Sequence, residues 1–345
     1  MEKYKILDKS GGRKIHSGYT AHMGGIVILI GFVASFCFSL IGIRYLVSIF
    51  ETFSLLILLV IITIIGIRDD MNNLSPTMKL ICEIIIGLCL CALNVRIISF
   101  GGFLGIYTLP VWLSYVLTIF FFIVVSNAYN LIDGIDGQAG LQAIATFGAI
   151  CIFLWQLLPI EAYGEKNLNS PFFWLMIIAA MLGSIVGFLI YNWQKARIFM
   201  GDTGSLFIGF MIGISIIVCM NLNTKYNAEI FDYHIKSNLC VILCLFFLPL
   251  ADTLRVFILR VRKGKSPLYP DKTHIHHLLL RVKGLSHMQC AITTFFIEII
   301  TIIIMSFLSF FLNDNWLAIV IFIYWLIYVF GLKFFVKENI KHNNK

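Results

Sequence analysis

The sequence predicts an all-α polytopic integral membrane protein with about ten transmembrane helices, and three observations predict it. Of 345 residues, 59% are hydrophobic and only 13% charged, about half the charge of an ordinary soluble domain. Apolar runs of roughly the 20 residues that a bilayer crossing needs recur from end to end, more often than one large soluble core would require. No Pro/Ser-rich linker, low-complexity tract or internal repeat divides the chain, so residues 1–345 read as one domain. The start is polar and charged as far as Met23, so no cleavable signal peptide is expected.

In order, the expected spans are 23–43, 46–67, 79–95, 111–127, 139–158, 171–192, 204–221, 238–259, 288–312 and 316–336. An even number puts both termini on one side, and the distribution of Lys and Arg then orients the chain. Twenty-one basic residues fall on the face that carries Lys3 to Lys14, Arg68, Lys79, Lys195, Arg197, Arg255 to Lys283 and Lys333 to Lys345. Five (Arg44, Arg96, Lys166, Lys225, Lys236) fall on the other. The first face is therefore cytoplasmic. The net charge of +8 is mostly this asymmetry, together with attraction to anionic headgroups. A basic domain with interleaved aromatics is missing, so no nucleic acid is expected. The nine cysteines all lie in apolar spans without a CxxC and read as small buried hydrophobes, with no disulfide and no catalytic thiol.

Five of the 18 carboxylates fall in three short loops, all on the cytoplasmic face. "IRDDMNNLSPTMK" holds Asp69 and Asp70, with Ser75 as the expected N-cap of the next helix and Pro76 at its first position. "SNAYNLIDGIDGQAG" holds Asp133 and Asp136 beside Asn127, Asn130 and Gln138, more polar groups than two tight turns need. "RIFMGDTGSLFIG" holds Asp202 where a helix begins, a position that favours an anion. An Asp beside bound phosphate is a natural Mg2+ ligand, because Mg2+ takes one or two carboxylates plus phosphates and keeps several waters. Phe199 reads first as packing, and as a flat surface for a nucleobase second.

A fourth cytoplasmic stretch, "YPDKTHIHHLLLRVKG", gathers His274, His276 and His277. On a helix His274 and His277 share a face and His276 points elsewhere. Zinc is disfavoured, since no Cys lies nearby and three N ligands would all have to converge. The neighbours Arg260, Arg262, Lys263, Lys265, Lys272 and Arg281 make the region basic, so histidines donating to phosphate oxygens fit better.

Six motifs in order, "GGRKIHSGYTAHMGG", "DDMNNLSPTMK", "NAYNLIDGIDG", "FMGDTGS", "PLADTLRV" and "PDKTHIHHLLL", resemble the bacterial polyprenyl-phosphate N-acetylhexosamine-1-phosphate transferases. The HxHH form is similar to the WecA and TagO branch more than to MraY. The resemblance covers about residues 8 to 290 and implies an MraY-like fold whose cytoplasmic loops form the active site. It implies transfer of N-acetylhexosamine-1-phosphate, GlcNAc-1-phosphate first, from a UDP-sugar to undecaprenyl phosphate, releasing UMP and initiating a lipid-linked envelope glycan. The implied cofactor is Mg2+, with Mn2+ as a substitute. The implied location is the inner membrane, and a homodimer is compatible with it. By resemblance Asp69, Asp70 and Asp202 are catalytic, with Asp69 the base or nucleophile, and Asp202 and Asp133 hold the metal. Asn127, Asn130, Asp133, Asp136, Phe199, His274, His276 and His277 meet the nucleotide and sugar. Arg13, Lys14, His16 and Lys79 meet the lipid phosphate.

Members of this branch usually carry a spanning helix ahead of the first motif. Here the chain starts almost at it, which leaves either ten spans or a start placed too late. The rivals are the same reaction on another UDP-HexNAc or UDP-MurNAc-pentapeptide, a lipid-linked phosphatase, and an anion transporter. A transporter would place charges at mid-membrane in broken helices, where only Glu83, Glu298 and Asp252 are candidates. Asp252 is expected to pair with Arg255, three residues on.

Overall fold

The computed structural model describes residues 7–9, 19–21, 24–43, 49–158, 170–194, 196–227, 239–266, 273–281 and 285–343. A short antiparallel pair, β1 (Leu7–Lys9) and β2 (Tyr19–Ala21), precedes the helices that make up most of the other described residues. The helices are α1 (Gly24–Ile43), α2 (Ile49–Asn72), α3 (Pro76–Ala92), α4 (Val111–Ile132), α5 (Gln138–Leu157) and α6 (Pro171–Asn192). They continue with α7 (Gly201–Asn227), α8 (Leu239–Cys244), α9 (Phe247–Arg262), α10 (Ile275–Leu280), α11 (His287–Leu308) and α12 (Asp314–Asn343). Helices stand at all ten expected places. Among the described residues, seven are long and apolar enough to cross a membrane. The protein is a multi-pass membrane protein.

The architecture is organised around α7. Every residue from Thr203 to Met220 is buried, as a helix apolar on all sides requires. It is surrounded by α1, α2, α4 and α5, with α6 filling between α1 and α5 and α11 backing α5. Between apolar helices in lipid the packing itself drives association, so small residues mark the close approaches. A Cβ on Gly25 would overlap the backbone of Gly204, and one on Gly66 would stand 2.5 Å from Thr203 Cα. Both contacts fall on the first turn of α7, the turn that carries Asp202.

The expected single span 238–259 is not one helix. It breaks at Leu245–Phe246 into α8 and α9, with Pro249 in the first turn of α9, where it removes no needed donor. A break inside the bilayer leaves amides that water cannot satisfy. Glu298 of α11 satisfies two of them, accepting from Phe247 N–H at 2.8 Å and Leu248 N–H at 2.7 Å. This acid in a span is a helix cap.

Candidate active site

Alternation of the helices brings the C-terminal ends of α2, α4 and α6 to the same end of the bundle as the N-terminal ends of α3, α5, α7 and α11. The three acid loops and the histidine turn meet there.

The loop after α2 is rigid for local reasons. Asn73 adopts a left-handed conformation (φ 47°) that ends the helix. Asp69 closes the turn by accepting from Leu74 N–H at 2.8 Å. Ser75 caps α3 by accepting from Met78 N–H at 3.3 Å, with Pro76 at the first position as expected. This places Lys79 one turn into α3. Its ammonium donates to Asp69 Oδ2 and to Asp202 Oδ1, both at 3.1 Å. Lys79, expected to meet a lipid phosphate, is held between two carboxylates.

Asp70 points the other way. It accepts from Asp202 N–H at 2.8 Å, Thr203 N–H at 2.9 Å and the Thr203 hydroxyl at 2.5 Å. The N-terminus of α7, read as a place for a substrate anion, is occupied by an anion of the chain itself. Adjacent acids therefore have different work: Asp69 orients a cation, and Asp70 caps the helix that presents Asp202. The Asp202 side chain is 36% exposed and is also met by Asn130 Nδ2 at 2.6 Å.

Asp133 ends α4 and receives the backbone amide of Gly201. Burial, then the charges of Asp202, Asp70 and Asp136, push its carboxyl up to about 7. A buried carboxyl beside further carboxylates is short of positive charge, the condition a divalent cation relieves. Among the described residues no group of three or more His, Cys, Asp or Glu is arranged as a protein-only metal site. A two-carboxylate set still fits Mg2+, which fills its remaining positions with phosphate oxygens and water.

The loop between α4 and α5 is pinned from several sides. Tyr129 OH donates to Ala139 O at 2.8 Å, and Gly137 N–H to Asn192 Oδ1 at 2.9 Å, with Gly137 at φ 76°. Asp136 accepts from Ala196 N–H at 3.2 Å and lies 3.9 Å from His287 Nδ1. Asn127, expected at the nucleotide, donates to both oxygens of Glu83 at 3.1 and 2.8 Å. Its amide thus holds α4 to α3, while Asn130, one turn nearer the loop, reaches Asp202. Half-buried Phe199 accepts at its carbonyl from Gly24 N–H at 2.9 Å, tying the loop before α7 to the start of α1.

The histidine turn differs from its expected geometry. His274 is not on the helix. It is the N-cap of the six-residue α10, with φ −62° and ψ 154°. The helical three-residue spacing therefore does not apply, and His274 and His276 are the pair that lies parallel, with centroids 6.0 Å apart and planes at 5°. His277 follows at 4.2 Å from His276. His274 and His276 are buried and His277 half-buried. The turn docks on the acid loop: a Cβ on Gly134 would collide with His276 Nε2. Burial first, then neighbouring His277 and His274, hold His276 down to about 3, so it is neutral. Arg13, Lys14 and His16, like Asp271 and Lys272 before the turn, lie outside the described residues.

Sequence reasoning missed Asn192 and Thr203, which lock the loops; a lone Asn ending the apolar α6 was the available signal. It placed Asp252 beside Arg255, and the structure has Arg255 Nη2 2.6 Å from Asp252 Oδ1.

The site thus gathers carboxylates, a lysine and histidines at one end of a membrane-spanning helical bundle. The profile of "Glycosyl transferase family 4" matches residues 52–220. A "Probable undecaprenyl-phosphate N-acetylglucosaminyl 1-phosphate transferase" of Bacillus subtilis (strain 168) is 29% identical over 306 residues, covering 86% of this chain and 76% of the relative. A "Decaprenyl-phosphate N-acetylglucosaminephosphotransferase" of Mycobacterium leprae (strain TN) is 30% identical over 289 residues, covering 80% and 70%. An "Undecaprenyl-phosphate alpha-N-acetylglucosaminyl 1-phosphate transferase" of Yersinia pestis is 29% identical over 285 residues, covering 81% and 70%. The chain belongs to glycosyl transferase family 4, in the branch of these polyprenyl-phosphate N-acetylglucosamine-1-phosphate transferases.

Proposed function

We propose that this protein transfers N-acetylhexosamine-1-phosphate, with GlcNAc as the sugar, from a UDP-sugar to undecaprenyl phosphate at the cytoplasmic face, releasing UMP. The observation that carries this reading is Asp202. It is one-third exposed at the start of the central helix, with Lys79 and Asn130 on its carboxylate and an electrostatically crowded Asp133 close by. That arrangement supports a diphosphate substrate with a cation beside it rather than a neutral sugar alone.

Asp202 and Asp133 would hold Mg2+, which when bound offsets the charge of the diphosphate. The chain's own residues do the rest. Lys79 supplies a fixed positive charge, held in place by Asp69, where two anionic phosphates must be brought together. Asn130 fixes the Asp202 carboxylate. The histidine turn, seated on the acid loop, faces the phosphates and sugar. A phosphate monoester has a second pKa of about 6, so the lipid phosphate is already mostly dianionic at neutral pH. A general base then adds little, and Asp69, engaged by Leu74 and Lys79, acts through Lys79.

The test is UMP release from UDP-GlcNAc that requires both Mg2+ and added polyprenyl phosphate, repeated with UDP-GalNAc and UDP-deoxyhexosamines. Near-full activity in Asp202→Ala, or release without lipid, sinks the proposal. Direct transfer also predicts no UMP–UDP-GlcNAc exchange without lipid; lipid-free exchange that Asp69→Asn abolishes would favour a covalent intermediate on Asp69.

A further inference from the structure

The phosphate-transfer reading leaves one buried charged cluster unused. Asp252 of α9 is 1% exposed, yet five donors converge on it. Its Oδ1 accepts from Arg255 Nε at 3.1 Å, Arg255 Nη2 at 2.6 Å and Tyr328 OH of α12 at 3.1 Å. Its Oδ2 accepts from the backbone N–H of Ile275 at 3.2 Å and lies 2.9 Å from His274 Nδ1. Arg255 Nη2 also donates to Thr273 O at 2.6 Å. An ion pair of this kind would be complete with Arg255 alone. The second oxygen is committed to the first residues of the histidine turn.

That commitment sets hydrogen positions. An ionised carboxylate only accepts, so His274 Nδ1 carries a proton and Nε2 is the nitrogen left for other contacts. In the described structure His274 Nε2 and His276 Nδ1 are both buried without a hydrogen-bond partner. The two rings lie parallel, and His276 in turn rests on Gly134 between Asp133 and Asp136. Buried polar atoms without partners mark a place for a water or a ligand atom. The charged and titratable groups around the pair are Asp252 and Arg255 on α9, His277 on α10, His287 on α11 and Tyr328 on α12.

We propose that Asp252 is a positioning residue, which fixes the tautomer and ring plane of His274 and thereby seats the stacked His276 on the acid loop. The proposal rests on the reading of the histidine turn as the side of the site that meets the UDP-sugar. Asp252→Asn makes it testable, because the amide cannot satisfy both ends. Arg255 and Tyr328 demand an acceptor at Oδ1, so the amide NH2 must occupy the Oδ2 position. His274 Nδ1 must then accept, and its proton moves to Nε2.

The experiment has two independent arms on the full chain in lipid nanodiscs. The first is NMR of 15N-histidine protein. The wild type should show an Nδ1–H signal that His274→Gln deletes and that Asp252→Asn replaces with an Nε2–H signal. The second is kinetics. Asp252→Asn should raise KM for UDP-GlcNAc at least about tenfold and leave KM for undecaprenyl phosphate within about twofold. The double variant Asp252→Asn/His274→Gln should be no worse than His274→Gln alone. An Nδ1–H signal retained in Asp252→Asn overturns the proposal whatever the activity, and so do costs that add in the double variant. A wild type that releases no UMP fails the functional reading instead, and the NMR arm then decides the Asp252–His274 link alone. If Asp252→Asn does not fold, the wild type and His274→Gln decide: a wild-type His274 protonated only at Nε2, or a KM for UDP-GlcNAc that His274→Gln leaves unchanged, overturns the proposal.

Discussion

Asp70 of α2 accepts the backbone amide of Asp202 at 2.8 Å, so the second acid of the DD pair holds the backbone of the residue whose side chain faces the site. Asp70→Ala removes a cap from α7 and should cost about 1–2 kcal/mol of stability. That should show as a lower midpoint of thermal unfolding in detergent, with Asp70→Asn in between. Full stability with lost activity would return Asp70 to the chemistry.

Lys79 sits between Asp69 and Asp202, and its removal should have two effects of opposite sign. Lys79→Gln takes a fixed cation from the phosphates and should lower kcat/KM at least about a hundredfold. It also leaves two carboxylates unopposed, so the Mg2+ concentration for half-maximal residual activity should fall. A rise in that requirement would mean that Lys79 helps to hold the metal region together.

Gly134 has no room for a methyl group, because His276 Nε2 fills the space. Gly134→Ala should displace the histidine turn and lower kcat/KM by about tenfold or more, roughly 1.4 kcal/mol, with little change in unfolding midpoint. Adding His276→Ala, which removes the ring it strikes, should recover part of the loss relative to additivity.

His276 is neutral in the folded protein, held down to about 3, and returns to an ordinary 6.5 when unfolded. Below pH 6.5 the unfolded chain binds the extra proton, so this residue's contribution is intact above that pH and is lost progressively toward pH 3. Asp133, raised from 3.8 to about 7, acts in the opposite sense, favouring the folded state toward acid. The two are separated by variant: His276→Gln should lose less stability than the wild type between pH 7 and pH 5. Equal losses would show that His276 protonates without unfolding.

Much of the site was legible because side-chain chemistry and topology constrain it. Charge asymmetry gave the expected orientation, and alternating helices had to bring the acid loops to one end of the bundle. The N-cap at Ser75 and the Asp252–Arg255 pair followed from short-range spacing. What eluded sequence reasoning was long-range. The Asn127 amide goes to Glu83 on α3, 44 residues away, because two polar groups inside an apolar bundle must find each other. The histidine turn was misassigned for a local reason: its first residue is an extended N-cap, so counting along an ideal helix paired the wrong rings.

By itself the sequence determined the membrane setting, the order of the helical segments and the loops that gather the acids and histidines, since each depends on composition or neighbours in the chain. Only the tertiary structure decided how those residues divide their work. Which of Asp69 and Asp70 holds Lys79 and which caps α7, how Glu298 mends a broken span, and how Asp252 reaches His274 are matters of a few ångströms between helices far apart in sequence. They are decided by packing around α7 and by the need of every buried polar group for a partner.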